Sequence, residues 1–230
     1  MPDGAKTEQS LLRWLFCSAR SEAVVAMKLI DRVISVLGFP AAYRLFFWVV
    51  GGDVRKIYTA EYVKAVPGEK VLDIGCGPGD ILDYLPGVRY TGFDLSPEYI
   101  EAAQKRFGAK GRFFCSDVGL TAIEEEQGTF DLVLATGVLH HLDDQRAAKL
   151  IALAARALRP GGRFVTCDGC YVPEQTRLAR WMLRRDRGKF VRPKAEFVKL
   201  ASQHFAKVET FVRHDLVRIP YTALIMQCAN

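Results

Sequence analysis

Several things are scarce in this sequence, and each scarcity excludes a class of protein. Six cysteines among 230 residues are too few and too scattered for a disulfide framework. Cys167 and Cys170 form a lone C-x-x-C. A structural zinc site takes about four ligands, and no second pair stands elsewhere. A thioredoxin-like pair would open a helix, whereas Tyr171-Val172-Pro173 follows, so the spacing reads as coincidence and no metal site is expected. Charge-free stretches such as Val33–Tyr43 and Leu45–Gly52 fall far short of the roughly 20 apolar residues that span a membrane. Met1–Gln9 is polar and lacks the basic-then-apolar order of a secretory signal. Internal repeats and low-complexity tracts are missing too. Together these absences lead to the expectation of a soluble, cytoplasmic protein. What is present fits a globular chain: half the residues are hydrophobic and a quarter charged. The length suits one domain with decoration.

From Pro67 onward, short apolar runs alternate with helical segments. Lys70–Ile74, Tyr90–Asp94, Arg112–Cys115, Phe130–Ala135 and Arg163–Cys167 read as buried strands. Ile81–Tyr84, Pro97–Arg106 and Asp143–Leu158 read as helices. Such alternation implies parallel strands joined by crossovers, hence an α/β, doubly wound sheet of Rossmann-like type. Ser96 as N-cap with Pro97 at the first helical position marks a clean helix start. Val208–Arg213 and Leu224–Cys228 are expected to pair at the sheet edge. Upstream, residues 1–66 form an N-terminal helical cap: Ile30, Val33, Ile34 and Leu37 recur at helical spacing before Gly38-Phe39-Pro40. Phe46, Phe47 and Trp48 either pack that cap on the main domain or face an apolar substrate or membrane surface. The main domain is expected over 67–230, interrupted by an insertion at 171–193.

The most informative stretch is Val71-Leu72-Asp73-Ile74-Gly75-Cys76-Gly77-Pro78-Gly79-Asp80. An apolar strand here runs into a glycine-rich turn that opens a helix, the place where open α/β sheets bind ligands. A dinucleotide fold spaces its glycines as G-x-G-x-x-G and brings a pyrophosphate to the turn. Here the pattern is D-x-G-x-G-x-G. A carboxylate at Asp73 is unwelcome beside a pyrophosphate and suits a ligand carrying an ammonium and a sulfonium, while glycines let the backbone approach it closely. Asp94, about 20 residues beyond the turn, can accept both hydroxyls of a ribose. Asp117, after the third strand, can accept a hydrogen bond from the adenine amino group. Each acid alone reads equally as a solvated loop residue or a cap; three acids after three successive strands point to a nucleoside.

On these residues the chain resembles the class I S-adenosylmethionine-dependent methyltransferases, over about residue 68 to the end. Asp73 to Gly79, with Gly75, Cys76, Gly77 and Gly79, matches that family's glycine-rich motif. Asp94, followed by Leu95, matches its ribose-binding acid, and Ser116-Asp117-Val118 its adenine site. Phe130–Ala135 matches the fourth strand and Leu158-Arg159-Pro160-Gly161-Gly162 the turn before the fifth. The resemblance implies S-adenosyl-L-methionine as cofactor, with Thr136 and Gly137 bordering its sulfonium. It also implies a seven-stranded sheet whose last strand is antiparallel. It looks nearest to bacterial small-molecule enzymes with an apolar helical cap, and residues 1–66 carry little of it.

Methyl transfer to oxygen, nitrogen or carbon needs the nucleophile held in line and, for an acidic nucleophile such as a phenol, a proton acceptor. His141, in Thr136-Gly137-Val138-Leu139-His140-His141-Leu142-Asp143-Asp144, is the favoured catalytic base, since an imidazole titrates near neutrality. The plainer reading makes His140 and His141 a turn, with Asp143 capping the next helix. The Asn/Asp-Pro-Pro-aromatic motif of nucleobase-amine methyltransferases is missing here, as is the glutamate pair of arginine methyltransferases. A small-molecule substrate is therefore expected, with no nucleic-acid partner. Arg177–Lys194 holds eight basic residues against Asp186, a charge of +7 that leaves the rest of the chain, at a net +6 overall, close to neutral. It reads either as a solvated amphipathic helix with Trp181 and Leu183 buried, or as a lid that recruits an anionic or lipid-like substrate, an acidic carrier or a membrane surface. Arg218 and Tyr221 would join the same rim. The rival functions are a nicotinamide-dependent oxidoreductase and a non-catalytic S-adenosylmethionine-binding module.

Overall fold

A computed structural model describes residues 54–116, 126–186 and 188–230. Most of the expected cap, and Asp117 and Val118, lie outside them. The first described helix, α1 (Val54–Tyr58), continues into a π-helical turn over Thr59–Val63. The strands and helices that follow are β1 (Lys70–Ile74), β2 (Arg89–Asp94), α2 (Pro97–Phe107), β3 (Gly111–Cys115), β4 (Phe130–Thr136), α3 (Asp144–Ala157) and β5 (Leu158–Tyr171). The rest are α4 (Arg177–Arg184), the two-residue β6 (Arg192–Pro193), α5 (Lys194–Ala201), β7 (Lys207–Arg213) and β8 (Ala223–Ala229).

The main sheet runs β3-β2-β1-β4-β5-β8-β7, with β6 paired to the end of β5. β1 to β5 are parallel, and β8 lies antiparallel between β5 and β7. The order reverses between β1 and β4, the switch point at which open α/β sheets leave a crevice beyond their carboxyl ends. Because side chains alternate along a strand, β1 divides its residues between two cores. Leu72 and Ile74 join α3 and α5 residues such as Ile151 and Phe197 on one face. Val71 joins Tyr58, Tyr62, Ile100 and Phe107 on the other. The same alternation settles the C-x-x-C: three residues apart on β5, Cys170 and Cys167 fall into opposite cores, so they cannot form one site.

Local chemistry explains most boundaries. Ser96 Oγ accepts the Tyr99 N–H and Asp143 Oδ1 the Arg146 N–H, capping α2 and α3. One expected helix is different. After Gly79 the chain makes only a 3₁₀ turn, Asp80–Tyr84, because Pro86 disfavours helical geometry at Leu85 and ends the segment at once. Side chains hold that turn down instead. Arg106 of α2 bonds Asp80 (2.6 Å) and Asp83 (2.5 Å), and Arg55 of α1 lies 3.5 Å from Asp80. Residues 54–63, expected within the cap, bury Tyr58, Tyr62 and Val63 in the second core. Arg163 of β5 caps their carboxyl end through the Val63 and Lys64 carbonyls and pairs with Glu69 at 2.8 Å. Among the described residues no helix is long and apolar enough to cross a membrane.

Candidate active site

The carboxyl ends of β1, β2 and β4 converge on one crevice. Gly75 and Cys76 both donate their N–H groups to the Phe93 carbonyl (2.8 and 2.9 Å), fastening the glycine turn to β2. Gly75 has φ +73°, and a Cβ there would stand 2.5 Å from Val138 Cγ2. Gly77 also has a left-handed φ, +55°, but no described atom lies within 4 Å of where its Cβ would be. One glycine is required by packing and the other borders open space. Gly79, also left-handed, starts the 3₁₀ turn.

Asp94, at the end of β2, accepts the Gly77 N–H with Oδ2 and the Ser96 N–H with Oδ1, both at 2.9 Å. Each carboxylate oxygen can accept a second bond, so the residue that shapes the turn retains capacity for a ligand's hydroxyls. Beside it Leu95 is 72% exposed, an apolar side chain left uncovered at the crevice, and Ser116 N–H donates to the Asp94 carbonyl.

Asp73 is buried. Tyr90 donates its hydroxyl to Oδ2 at 2.5 Å, while Oδ1 has no hydrogen-bond partner among the described residues. Gly92 faces Asp73 across the ladder and makes this bond feasible, since a Cβ there would stand 2.9 Å from the Tyr90 ring. Burial, with a smaller push from Asp94, raises the Asp73 pKa to about 7, and the Tyr90 bond only moderates the rise. A buried carboxylate with one bare oxygen is a site awaiting a cation. At the end of β4, Thr136 is exposed, and its hydroxyl donates to the buried Tyr58 hydroxyl at 3.3 Å. Gly137 N–H donates to the Cys167 carbonyl.

Beyond Thr136, a 3₁₀ turn over Leu139–His141 carries two histidines in opposite surroundings. His140 is buried. Its Nδ1 lies 2.8 Å from Asp168 Oδ1 on β5, and its Nε2 lies 3.4 Å from Asp186 Oδ1 in the loop after α4. Asp186 also accepts the Tyr221 hydroxyl and the Gly188 N–H, each at 2.8 Å. Burial opposes charge on His140, but Asp168 and Asp186 override it and raise its pKa to about 9. Burial likewise opposes charge on Asp186, and His140 with the two donors brings it down to about 2. His141 is exposed, its ring centroid 4.3 Å from that of His140. Ligand atoms of His140, His141 and Asp186 lie within 4.8 Å of one another, a group that could hold a metal ion.

Residues 71–162 match the family described as a methyltransferase domain. The malonyl-[acyl-carrier protein] O-methyltransferase of Paenibacillus sp. (strain JDR-2) is 32% identical over 133 residues, 50% of this chain and 48% of that protein. The ubiquinone biosynthesis O-methyltransferase of Idiomarina loihiensis is 30% identical over 116 residues, 48% of this chain and 46% of that protein. This chain thus spans about half the length of these curated relatives. In fold it is similar to geranyl diphosphate C-methyltransferase from Streptomyces coelicolor A3(2), solved with Mg2+, geranyl diphosphate and S-adenosyl-L-homocysteine. That likeness has a TM-score of 0.59 over 76% of each chain at 14% identity, and it speaks for the fold alone.

Over residues 71–162 this chain is thus similar to methyltransferase domains.

The crevice residues fit S-adenosylmethionine, the cofactor of the proteins this stretch is similar to. Asp73 Oδ1 has the charge and the free valence for an ammonium, Gly77 leaves space where a side chain would intrude, and Asp94 has unused acceptor capacity. Asp73, Gly75, Cys76, Gly77, Gly79, Asp94, Leu95 and Ser116 are brought together at the ends of β1–β3, with Thr136 and Gly137 across the switch point at the end of β4. Several residues in and around the crevice escaped sequence reasoning. Tyr90 had a faint signal, a hydroxyl in a buried strand two residues before a glycine. Tyr58, Asp168, Asp186 and Arg192 had none, because contacts across 28 to 78 residues of sequence leave no local pattern. Trp181, expected to be buried with Leu183, is only half-buried and carries the Arg185 guanidinium 5.0 Å above its ring.

Proposed function

We propose that this chain transfers the methyl group of S-adenosylmethionine to an oxygen, nitrogen or carbon nucleophile of a small molecule. One observation carries this reading: a buried aspartate with a bare oxygen beside a glycine turn, where a pyrophosphate would be repelled and an aminoacyl sulfonium attracted. Asp73 would hold the ammonium, Asp94 the ribose hydroxyls, and Leu95 with Ser116 the adenine side. Asp117 and Val118 are assigned to adenine on the family motif alone. Thr136 and Gly137 would border the sulfonium. Bound there, the cofactor supplies an electrophilic methyl.

His141 is assigned as the base. It is exposed where the crevice opens and can take a proton from an acidic nucleophile. Its neighbour His140, raised to about 9, is already charged at neutral pH and cannot. The basic rim of Arg177, Arg184 and Lys189, exposed on and after α4, favours an anionic or lipid-like substrate, a preference to which the carrier-bound malonyl group named for one relative lends support. Isothermal titration with S-adenosylhomocysteine and with NADH tests the cofactor assignment, and mass spectrometry of quinol, phenol and carboxylate acceptors tests turnover. Binding of the first ligand and methylated product are expected. NADH binding without S-adenosylhomocysteine binding would overturn the assignment; tight cofactor binding with no product over the whole panel would favour the non-catalytic module.

A further inference from the structure

Neither the cofactor nor the methyl transfer explains why the basic segment after β5 is tied so densely to the turn after β4. Four ties converge there. His140 lies between Asp168 of the sheet and Asp186 of the segment. The Phe190 N–H donates to the His140 carbonyl at 2.9 Å. The buried Arg192 donates to the Leu139 carbonyl at 2.9 Å, to the Leu142 carbonyl and to Asp144 Oδ1 at 2.7 Å. Gly188 packs so closely that a Cβ would stand 1.9 Å from His140 Cδ2. A protonated imidazole is the one neutral-range side chain able to donate in two opposite directions to two carboxylates.

We propose that His140 is a positioning residue, not a catalytic one: bridging Asp168 and Asp186, it fixes Asp186 and residues 188–192 onto the turn that carries His141. The inference rests on the methyltransferase reading only for its kinetic consequence; the bridge itself is a statement about structure. The titratable and charged groups facing His140 are Asp168 from β5, Asp186 from the segment and His141 from its own turn, with Tyr221 and Arg192 behind them. Folding raises His140 above its ordinary 6.5, so the stability it adds is complete below that value and is lost as pH rises through about 9. Asp186, held near 2, contributes above its ordinary 3.8 and fails only in strong acid.

The test is amide hydrogen exchange of the full chain at Gly188 and Phe190, normalised for intrinsic rates, between pH 7 and 10. Protection in the wild type should fall about tenfold through pH 9. Asp186→Asn, a change at a half-buried site that spares the core, should show the loss already at pH 7, and Asp186→Glu should recover part of it. His140→Gln should do the same and lower kcat while cofactor Kd stays unchanged. Protection independent of pH and untouched by Asp186→Asn would overturn the proposal whatever the enzyme's activity. So would a thermal midpoint that rises with zinc in the wild type but not in Asp186→Asn, because the cluster would then be a metal site. An unchanged kcat in His140→Gln with the exchange results as expected would leave the bridge standing and overturn only its kinetic consequence.

Discussion

On the β1–β2 side of the switch point the crevice is built mostly from backbone. Gly75 and Cys76 hang from one carbonyl, Gly77 from one carboxylate, and the buried Asp73 keeps an oxygen without a hydrogen-bond partner among the described residues. On the β4–β5 side, side chains do the same work: His140 and Arg192 knit two segments together through carboxylates and carbonyls. The difference follows from what each side meets. A constant cofactor needs close, rigid backbone approach, which glycine permits. On the proposed function the other side meets the substrate, and charged side chains can change there without breaking the sheet.

Four measurements would break or sharpen that contrast. The largest effect is expected in turnover: His141→Ala should lower kcat by about 10²-fold or more while leaving cofactor affinity nearly unchanged. Asp94→Ala should instead weaken cofactor binding by about 100-fold, because two N–H groups of the turn lose their acceptor at about 1–3 kcal/mol each. Equal losses of affinity in the two variants would merge the two sides. Next comes a pair of glycines. Gly75→Ala, strained and crowded against Val138, should destabilise the fold by about 2 kcal/mol or more in denaturant titration. Gly77→Ala, strained but uncrowded, should cost about 1 kcal/mol and act mainly on cofactor affinity. If both act only on stability, the space at Gly77 is not where a ligand sits.

The smallest signal is a proton. Asp73 is raised from 3.8 to about 7 in the folded chain, so its stability contribution becomes unfavourable as pH rises from about 4 through 7. A cationic ligand at Oδ1 reverses this by favouring the carboxylate. Binding of S-adenosylhomocysteine at pH 6 should therefore release up to about one proton, and none at pH 8.5. Calorimetry in buffers of different ionisation enthalpy reads this directly. Absence of release at pH 6 would remove the ammonium from Asp73.

Strand positions, the caps Ser96 and Asp143, the glycine turn and the places of Asp73 and Asp94 at the strand ends were legible because each is written in a few adjacent residues. The helix expected after Gly79 shrank to a 3₁₀ turn, although Pro86 already stood in the sequence as the reason. The half-buried state of Trp181 was less legible, since an aromatic at helical spacing does not reveal how much of it a neighbouring surface covers.

Local order therefore determined the α/β alternation and the switch-point turn, because periodicity, capping and left-handed glycines act within a few residues. Tertiary structure alone decided which histidine is buried between carboxylates and which is exposed. It also decided that Tyr90 and Tyr58 reach Asp73 and Thr136. Adjacent residues on one turn carry no mark of which way each will point until β5, the segment after α4 and α1 have closed around them.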